Sequence, residues 1–291
     1  MANDKPFFLV PQVPPLRGEP RVGACSDRLR VTVTVKTPLH FGAGQLGFDE
    51  KASLFINRLN RENDQIALPG SSFKGMLRSV FEAVSESCMP TERDLRCSYA
   101  NALCLACAMF GFLGYRGKLR FSSFLAQGAT ENLTLPQLYS HPTHLNQRRF
   151  YRHSTAYASI SRVAEGKSGS ELYECLSPGA VLRGNITYQN LTEDQLGGLL
   201  FALGLGWGEP IYHKLGYAKP VYLGSVQLDV KQEDTTKTLL SPAQQAYDLE
   251  ALAAAYYEKH SGRIGDIVAV LKEAWSIIGD ENGWDMQTLT Y

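Results

Sequence analysis

An α+β fold, with a split βαβ sheet carrying its helices on one face, is what this sequence predicts, on three observations. Leu29-Arg-Val-Thr-Val-Thr-Val35 alternates apolar and polar residues, the period of a half-buried strand. Two helical patterns, from about Ser72 to Ser87 and from Thr192 to Gly204, are each followed by a strand pattern, Lys118–Ser122 and Val221–Val230. A further strand pattern, Ala180–Tyr188, precedes the second helix and completes the β-α-β-β-α-β order.

Residues 1–25 hold five of the fourteen prolines and show little periodicity, which predicts an extended arm, disordered or packed on a neighbour. Leu54 to Leu68 reads as a hairpin turning at the turn-forming Asn60-Arg-Glu-Asn-Asp64. In the first helix Phe73, Met76, Leu77, Val80 and Val84 form the apolar stripe. Residues 125–170 lack a clean period and carry His141, His144 and His153, so an irregular, functional insertion is expected there. Thr192 is placed to cap the second helix, with Glu193 and Asp194 where the helix dipole favours acids. Ser241–Lys259 and Ile264–Ile278 read as two further amphipathic helices. The expected organisation is an arm over 1–25, a core over 26–232 interrupted at about 85–110 and 125–172, and a helical extension over 233–291.

The 291 residues suffice for a full core, and 44% hydrophobic with 20% charged residues is the composition of a globular protein in water. Lys plus Arg equals Asp plus Glu at 29 each, so a polyanion-binding face requires segregated cations. Pro136–Gly169 shows such segregation, with four Arg and one Lys against one Glu. No apolar run is long enough to span a membrane and no signal-peptide pattern opens the chain, so a cytoplasmic location with reduced cysteines is expected. There is no Gly-x-x-x-x-Gly-Lys-Ser/Thr loop and no palm-type aspartate pair, which argues against a nucleotide-consuming enzyme.

Two glycine-punctuated basic segments carry the chemistry. In Leu68-Pro-Gly-Ser-Ser-Phe-Lys-Gly-Met-Leu-Arg78, Pro-Gly turns the chain and Ser71 or Ser72 is placed to cap a helix that holds Lys74 and Arg78. Free N–H groups at a helix start, flanked by hydroxyls and cations, favour a phosphate. In His213-Lys-Leu-Gly-Tyr-Ala-Lys-Pro-Val-Tyr-Leu-Gly-Ser-Val226, glycines let the backbone approach a ligand, and lysines with aromatics suit a phosphodiester chain and its bases. Either segment alone is also what a capped helix or an ordinary turn looks like.

In this order, with Thr37-Pro-Leu-His-Phe-Gly-Ala-Gly44 before them and Cys104-Leu-Ala-Cys-Ala-Met-Phe-Gly111, Gly117-Lys-Leu-Arg-Phe121 and Leu176-Ser-Pro-Gly179 between them, the segments resemble the RAMP superfamily of CRISPR ribonucleoprotein subunits. The likeness runs from about residue 30 to 230 and is strongest to the repeated, guide-RNA-binding backbone subunit of type III and type III-derived effectors. The resemblance implies a ferredoxin-like (RRM-like) core with a zinc loop, a protruding thumb-like insertion and C-terminal helices. It implies as partners guide RNA, target RNA, further copies of the chain and other effector subunits, and no membrane. The expected RNA contacts are His40, Ser71, Ser72, Lys74, Arg78, Arg148, Arg149, Arg152, Lys214, Tyr217 and Lys219, gripping phosphates and 2′-hydroxyls independently of guide sequence.

Cys88, Cys97, Cys104 and Cys107 fall within twenty residues and include one C-x-x-C, which favours a tetrathiolate zinc site over disulfides in a reducing compartment. Such a zinc is structural, since four thiolates leave no open position; the alternative is four small buried hydrophobes. Cys25 and Cys175 stand apart. In the resembled subunits an aspartate after the first strand is associated with target-RNA cleavage, and Asp49 occupies the matching segment. With Mg²⁺ or Mn²⁺ it would serve a metal-dependent endoribonuclease; alternatively it is a solvated loop acid, and Glu50-Lys51-Ala52 departs from the family's pattern. A guide-processing RNase recruiting His40, His153 or His213 is a third alternative, and an RNA-free structural subunit a fourth.

Overall fold

The computed structural model describes residues 6–49, 54–89, 97, 102–138, 147–165, 168–233 and 246–275. The first strands are β1 (Phe7–Pro11), β2 (Cys25–Val35), β3 (Gly42–Asp49), β4 (Leu54–Leu59), β5 (Arg61–Glu62) and β6 (Gln65–Leu68). Helices α1 (Gly70–Ala83) and α2 (Leu105–Phe110) precede β7 (Leu119–Phe121), β8 (Phe124–Gln127), β9 (Thr130–Leu135) and β10 (Gln147–Tyr151). Then come α3 (Tyr157–Ala164), β11 (Glu171–Leu176), β12 (Val181–Leu191), α4 (Glu193–Ala202), β13 (Tyr212–Lys214), β14 (Ser225–Gln232) and α5 (Leu249–Trp275).

The fold is α+β. β2, β7, β12 and β14 line up as β14-β2-β12-β7 with every neighbouring pair antiparallel, and α1 and α4 make the two crossovers, which is the ferredoxin-like arrangement. The alternation read in Leu29–Val35 is that of β2, whose Leu29, Val31, Val33 and Val35 are buried. Thr192 caps α4 as expected, in a full capping box: its hydroxyl accepts the Gln195 N–H at 3.2 Å and Gln195 Oε1 accepts the Thr192 N–H at 3.1 Å.

Four expectations are corrected. First, no serine caps α1: Pro69 is the N-cap, and its carbonyl accepts from Ser72 N–H at 2.9 Å and Phe73 N–H at 3.3 Å. The helix thus starts earlier than expected and leaves Ser71 and Ser72 exposed. Glycine at position 70 lets it start there, since a Cβ would lie 2.6 Å from the carbonyls of Phe121 and Ser122. Second, the arm packs on its own chain: β1 pairs with β10, and Gly18 bridges Leu103.

Third, the described residues of the segment after 125 are not irregular. β9 and β11 pair in a second sheet of order β3-β4-β11-β9, and Leu135, Ile160, Tyr173, Cys175, Val221 and Leu223 form a small core beneath it. His141 and His144 lie outside the described residues. Fourth, the C-terminal region forms one helix of 27 residues, not two. Ala253, Tyr256, Ile264, Ile267, Leu271 and Trp275 keep one buried face across Gly262 and Gly265, so packing offsets the helix-weakening glycines. The outer ends expected for those helices, 241–245 and 276–278, lie outside the described residues.

Candidate functional site

A cleft of about 560 Å³ opens where the two basic segments meet. Ser71, Ser72, Gly75 and Ser79 of α1 form one wall, Lys214, Leu215, Gly216, Tyr217 and Lys219 another, and Arg149 with Tyr151 of β10 a third. The first turn of α1 presents the Gly70 and Ser71 N–H groups without an intrahelical acceptor, which favours an anion. Lys74 sits half-buried on the same helix; burial, then the Arg78 charge, hold its ammonium below the ordinary lysine value.

Lys214–Gly224 closes back on the start of the chain's core. Left-handed backbone at Gly216 (φ 79°), Ala218 (57°), Tyr222 (66°) and Gly224 (75°) folds it around a single 3-10 turn at Lys219–Val221. A Cβ would lie 2.2 Å from the His40 carbonyl at Gly216 and 1.9 Å from the Leu215 carbonyl at Gly224. These glycines therefore serve close approach of chain to chain, not of chain to ligand. The Tyr217 N–H donates to the His40 carbonyl at 2.8 Å, and Gly224 N–H to Pro38 at 2.9 Å.

The two loop lysines differ. Lys214 Nζ donates to the carbonyls of Tyr222 (3.0 Å) and Leu223 (3.1 Å) and to Ser225 Oγ (3.0 Å), so all three of its protons are spent inside the protein. Burial, reinforced by the Lys219 charge, holds it well below the ordinary lysine value. Its stem lines the cleft while its head secures the loop. Lys219 remains half-buried, donating once, to Gly216 O at 2.6 Å.

Tyr217, 40% exposed, stacks on Tyr173 with ring centres 5.2 Å apart. His40 lies edge-on beneath both, its Nδ1 2.7 Å from the Glu174 carbonyl, and burial lowers its pKa. Glu174 is paired with Arg61. Nothing in the sequence signalled Tyr173, because its partner Tyr217 lies 44 residues on, in the loop after β13. Trp275 was missed as well: it lines the cleft from the far end of α5, edge-on to Phe150 at 5.4 Å and stacked on His213 at 5.7 Å.

Of the remaining basic candidates, Arg149 and Arg152 lay their guanidinium groups over Phe7 (4.3 Å) and Phe8 (3.9 Å) of β1. Arg148 and Arg78 turn inward. Arg148 pairs with the buried Glu82 at 2.7 Å, and Arg78 donates to the other Glu82 oxygen at 2.7 Å and to Gly111 O at 2.6 Å. His153 Nδ1 lies 2.9 Å from Ser225 Oγ, His213 Nε2 donates to Ala202 O at 2.9 Å, and both imidazoles are buried with lowered pKa values. Burial thus keeps both uncharged and away from a substrate.

The four clustered cysteines do come together. Cys88, Cys97, Cys104 and Cys107 are all buried with their sulfurs within 4.8 Å of one another, Cys88 to Cys107 being 3.5 Å. Tetrahedral Zn–S bonds of about 2.3 Å require sulfurs roughly 3.8 Å apart, so the donor set fits a metal such as zinc. Hydrogen bonding from Cys107, then Cys88, pulls the Cys104 thiol well below its ordinary value. Cys104 also starts α2, where its sulfur accepts the Cys107 N–H.

Asp49 ends β3, where Asn132 Nδ2 donates to its Oδ2 at 3.0 Å. β3 leaves the cleft at Gly42, and seven residues of strand carry Asp49 roughly 20 Å along it. Glu50 lies outside the described residues. Among the described residues Asp49 joins no group of three or more metal-ligating side chains.

A family model of the RAMP superfamily matches residues 32–265. Comparison with curated proteins gave no match.

Proposed function

The chain belongs to the RAMP superfamily, whose members have a CRISPR-associated RNA-binding role, and from that premise we propose that it is the guide-RNA-binding backbone subunit of a type III-like effector. The observation that carries this is the convergence of two segments about 140 residues apart in sequence on a single cleft, with Arg149 of β10 as its third wall. Guide phosphates would lie against the start of α1, beside Lys74 and Lys219, with Tyr217 on Tyr173 offering a face for a base. Successive copies would assemble along the guide, in the cytoplasm, and present it to target RNA. A zinc ion in the cysteine centre would hold the loop before α2 against α1.

Expression with a CRISPR array and purification at moderate salt should bring guide RNA down with the chain, in amounts independent of guide sequence. Protein that purifies free of nucleic acid from such cells would sink the proposal. A second reading makes the chain its own slicer: the Asn132 amide fixes the Asp49 carboxylate at the end of a hairpin, as alignment of a 2′-hydroxyl or a divalent ion requires. The scaffold role is preferred, because Glu50-Lys51-Ala52 departs from the pattern that follows the cleaving aspartate in the resembled subunits.

A further inference from the structure

Arg78 lies in a segment whose pattern suits phosphate, yet each nitrogen of its guanidinium donates within the protein. Besides Glu82 and Gly111, Nη2 donates to Cys107 Sγ at 3.4 Å. Arg148 mirrors it from β10: Nη1 donates to Glu82 Oε2 at 2.7 Å and Nη2 to the Cys88 carbonyl at 2.9 Å. Glu82, 4% exposed, thus bridges two arginines, each of which also touches a cysteine of the cluster.

A zinc tetrathiolate carries a net charge of −2, and burying it is costly unless cations stand beside it. The Arg–Glu–Arg bridge carries +1 and directs one donor at a sulfur and one at the carbonyl of a second cysteine. A thiol needs no such partner, because neutral sulfur is a weak acceptor, whereas a metal-bound thiolate accepts well from a guanidinium. We propose that Arg78, Glu82 and Arg148 form the charge-compensating outer shell of the cysteine metal centre, with Arg78 a positioning residue for Cys107 and not an RNA contact. The inference rests on the metal reading of the cysteines and is independent of the RNA reading.

Outer-shell partners of this kind typically govern metal affinity by about 10- to 100-fold. Full-length protein loaded with zinc would be titrated with a chromogenic chelator. Arg78→Met should lower zinc affinity by about that factor, Arg148→Met, whose donor reaches only the Cys88 carbonyl, by less, and Arg78→Lys, which keeps the charge but loses the fork, should lie between Arg78→Met and wild type. Far-UV circular dichroism in excess zinc confirms that each variant is folded. Zinc affinity unchanged in both Arg78→Met and Arg148→Met overturns the proposal while leaving the metal reading intact. Wild-type protein that takes up no zinc overturns both. The salt slope of RNA binding gives a separate check: it should be unchanged in Arg78→Met, and a fall of about one unit would return Arg78 to the phosphates.

Discussion

Lys214 and Lys219 share one loop, and their side chains predict opposite phenotypes. Lys214→Met should leave the carbonyls of Tyr222 and Leu223 without their donor, destabilising the fold by roughly 1–3 kcal/mol in chemical denaturation, with little change in the salt slope of RNA binding. Lys219→Ala and Lys74→Ala should do the reverse, barely moving the denaturation midpoint while each flattens the salt slope by about one unit. Equal behaviour of the three variants would show that the inward commitment of Lys214 is not what separates them. His213 sets a pH dependence. Burial outweighs its hydrogen bond to Ala202 and holds its pKa down at about 4, below the ordinary 6.5. The folded value is the lower one, so this contribution to stability is complete above about pH 6.5 and is lost as pH falls towards 4. It amounts to about 3 kcal/mol. His40 and His153 are shifted in the same direction and add to the slope. Denaturation of His213→Gln between pH 7 and 4 should therefore lose about that much less than wild type; identical profiles would remove His213 as a source.

Among the elements, α5 carries its two glycines at positions where an added Cβ meets nothing within 4 Å. Gly262→Ala and Gly265→Ala should each stabilise by about 0.5–1 kcal/mol, read as a higher melting temperature. A drop would mean that the helix is interrupted there after all. The loop before α2 depends on its cysteines: Cys104→Ser with Cys107→Ser should abolish binding of about one zinc per chain and lower solubility, as metal analysis of freshly reduced protein would record. Absence of zinc from the wild type would leave four buried thiols. Elements with a strong local period were legible. β2 alternates, and α4 announces its start with Thr192, two acids and Gln195. By contrast, β9, β10 and β11 owe their existence to partners tens of residues or more away in the sequence. β10 pairs with an arm more than 130 residues earlier in the sequence, and β11 lies between β9 and β4. No local pattern encodes those ladders, so the segment reads as irregular until its partners are in place.

At the scale of the whole molecule, one cleft gathers an arm-paired strand, a helix start and a returning loop. If the chain is the slicer, Asp49→Ala should abolish metal-dependent cleavage of target RNA and leave guide and target binding intact. If it is the scaffold, purified wild-type complexes will leave target RNA whole with Mg²⁺ or Mn²⁺, and clean Asp49-dependent fragments would overturn that preference. The β-α-β-β-α-β order of the core, the clustered cysteines and the two basic segments are written in the sequence, because each element or motif depends on residues close together in the chain. Which cations face the cleft was decided only by the tertiary structure. Arg78, Arg148 and Lys214 look like the half-buried Lys74 and Lys219 in a linear pattern, yet they are taken up by Glu82, by a cysteine sulfur and by buried carbonyls. A cation's task is set by the acceptors the fold brings within about 3 Å of it, and these range from the next helical turn, as with Glu82 for Arg78, to elements 66 residues away, as with Glu82 for Arg148.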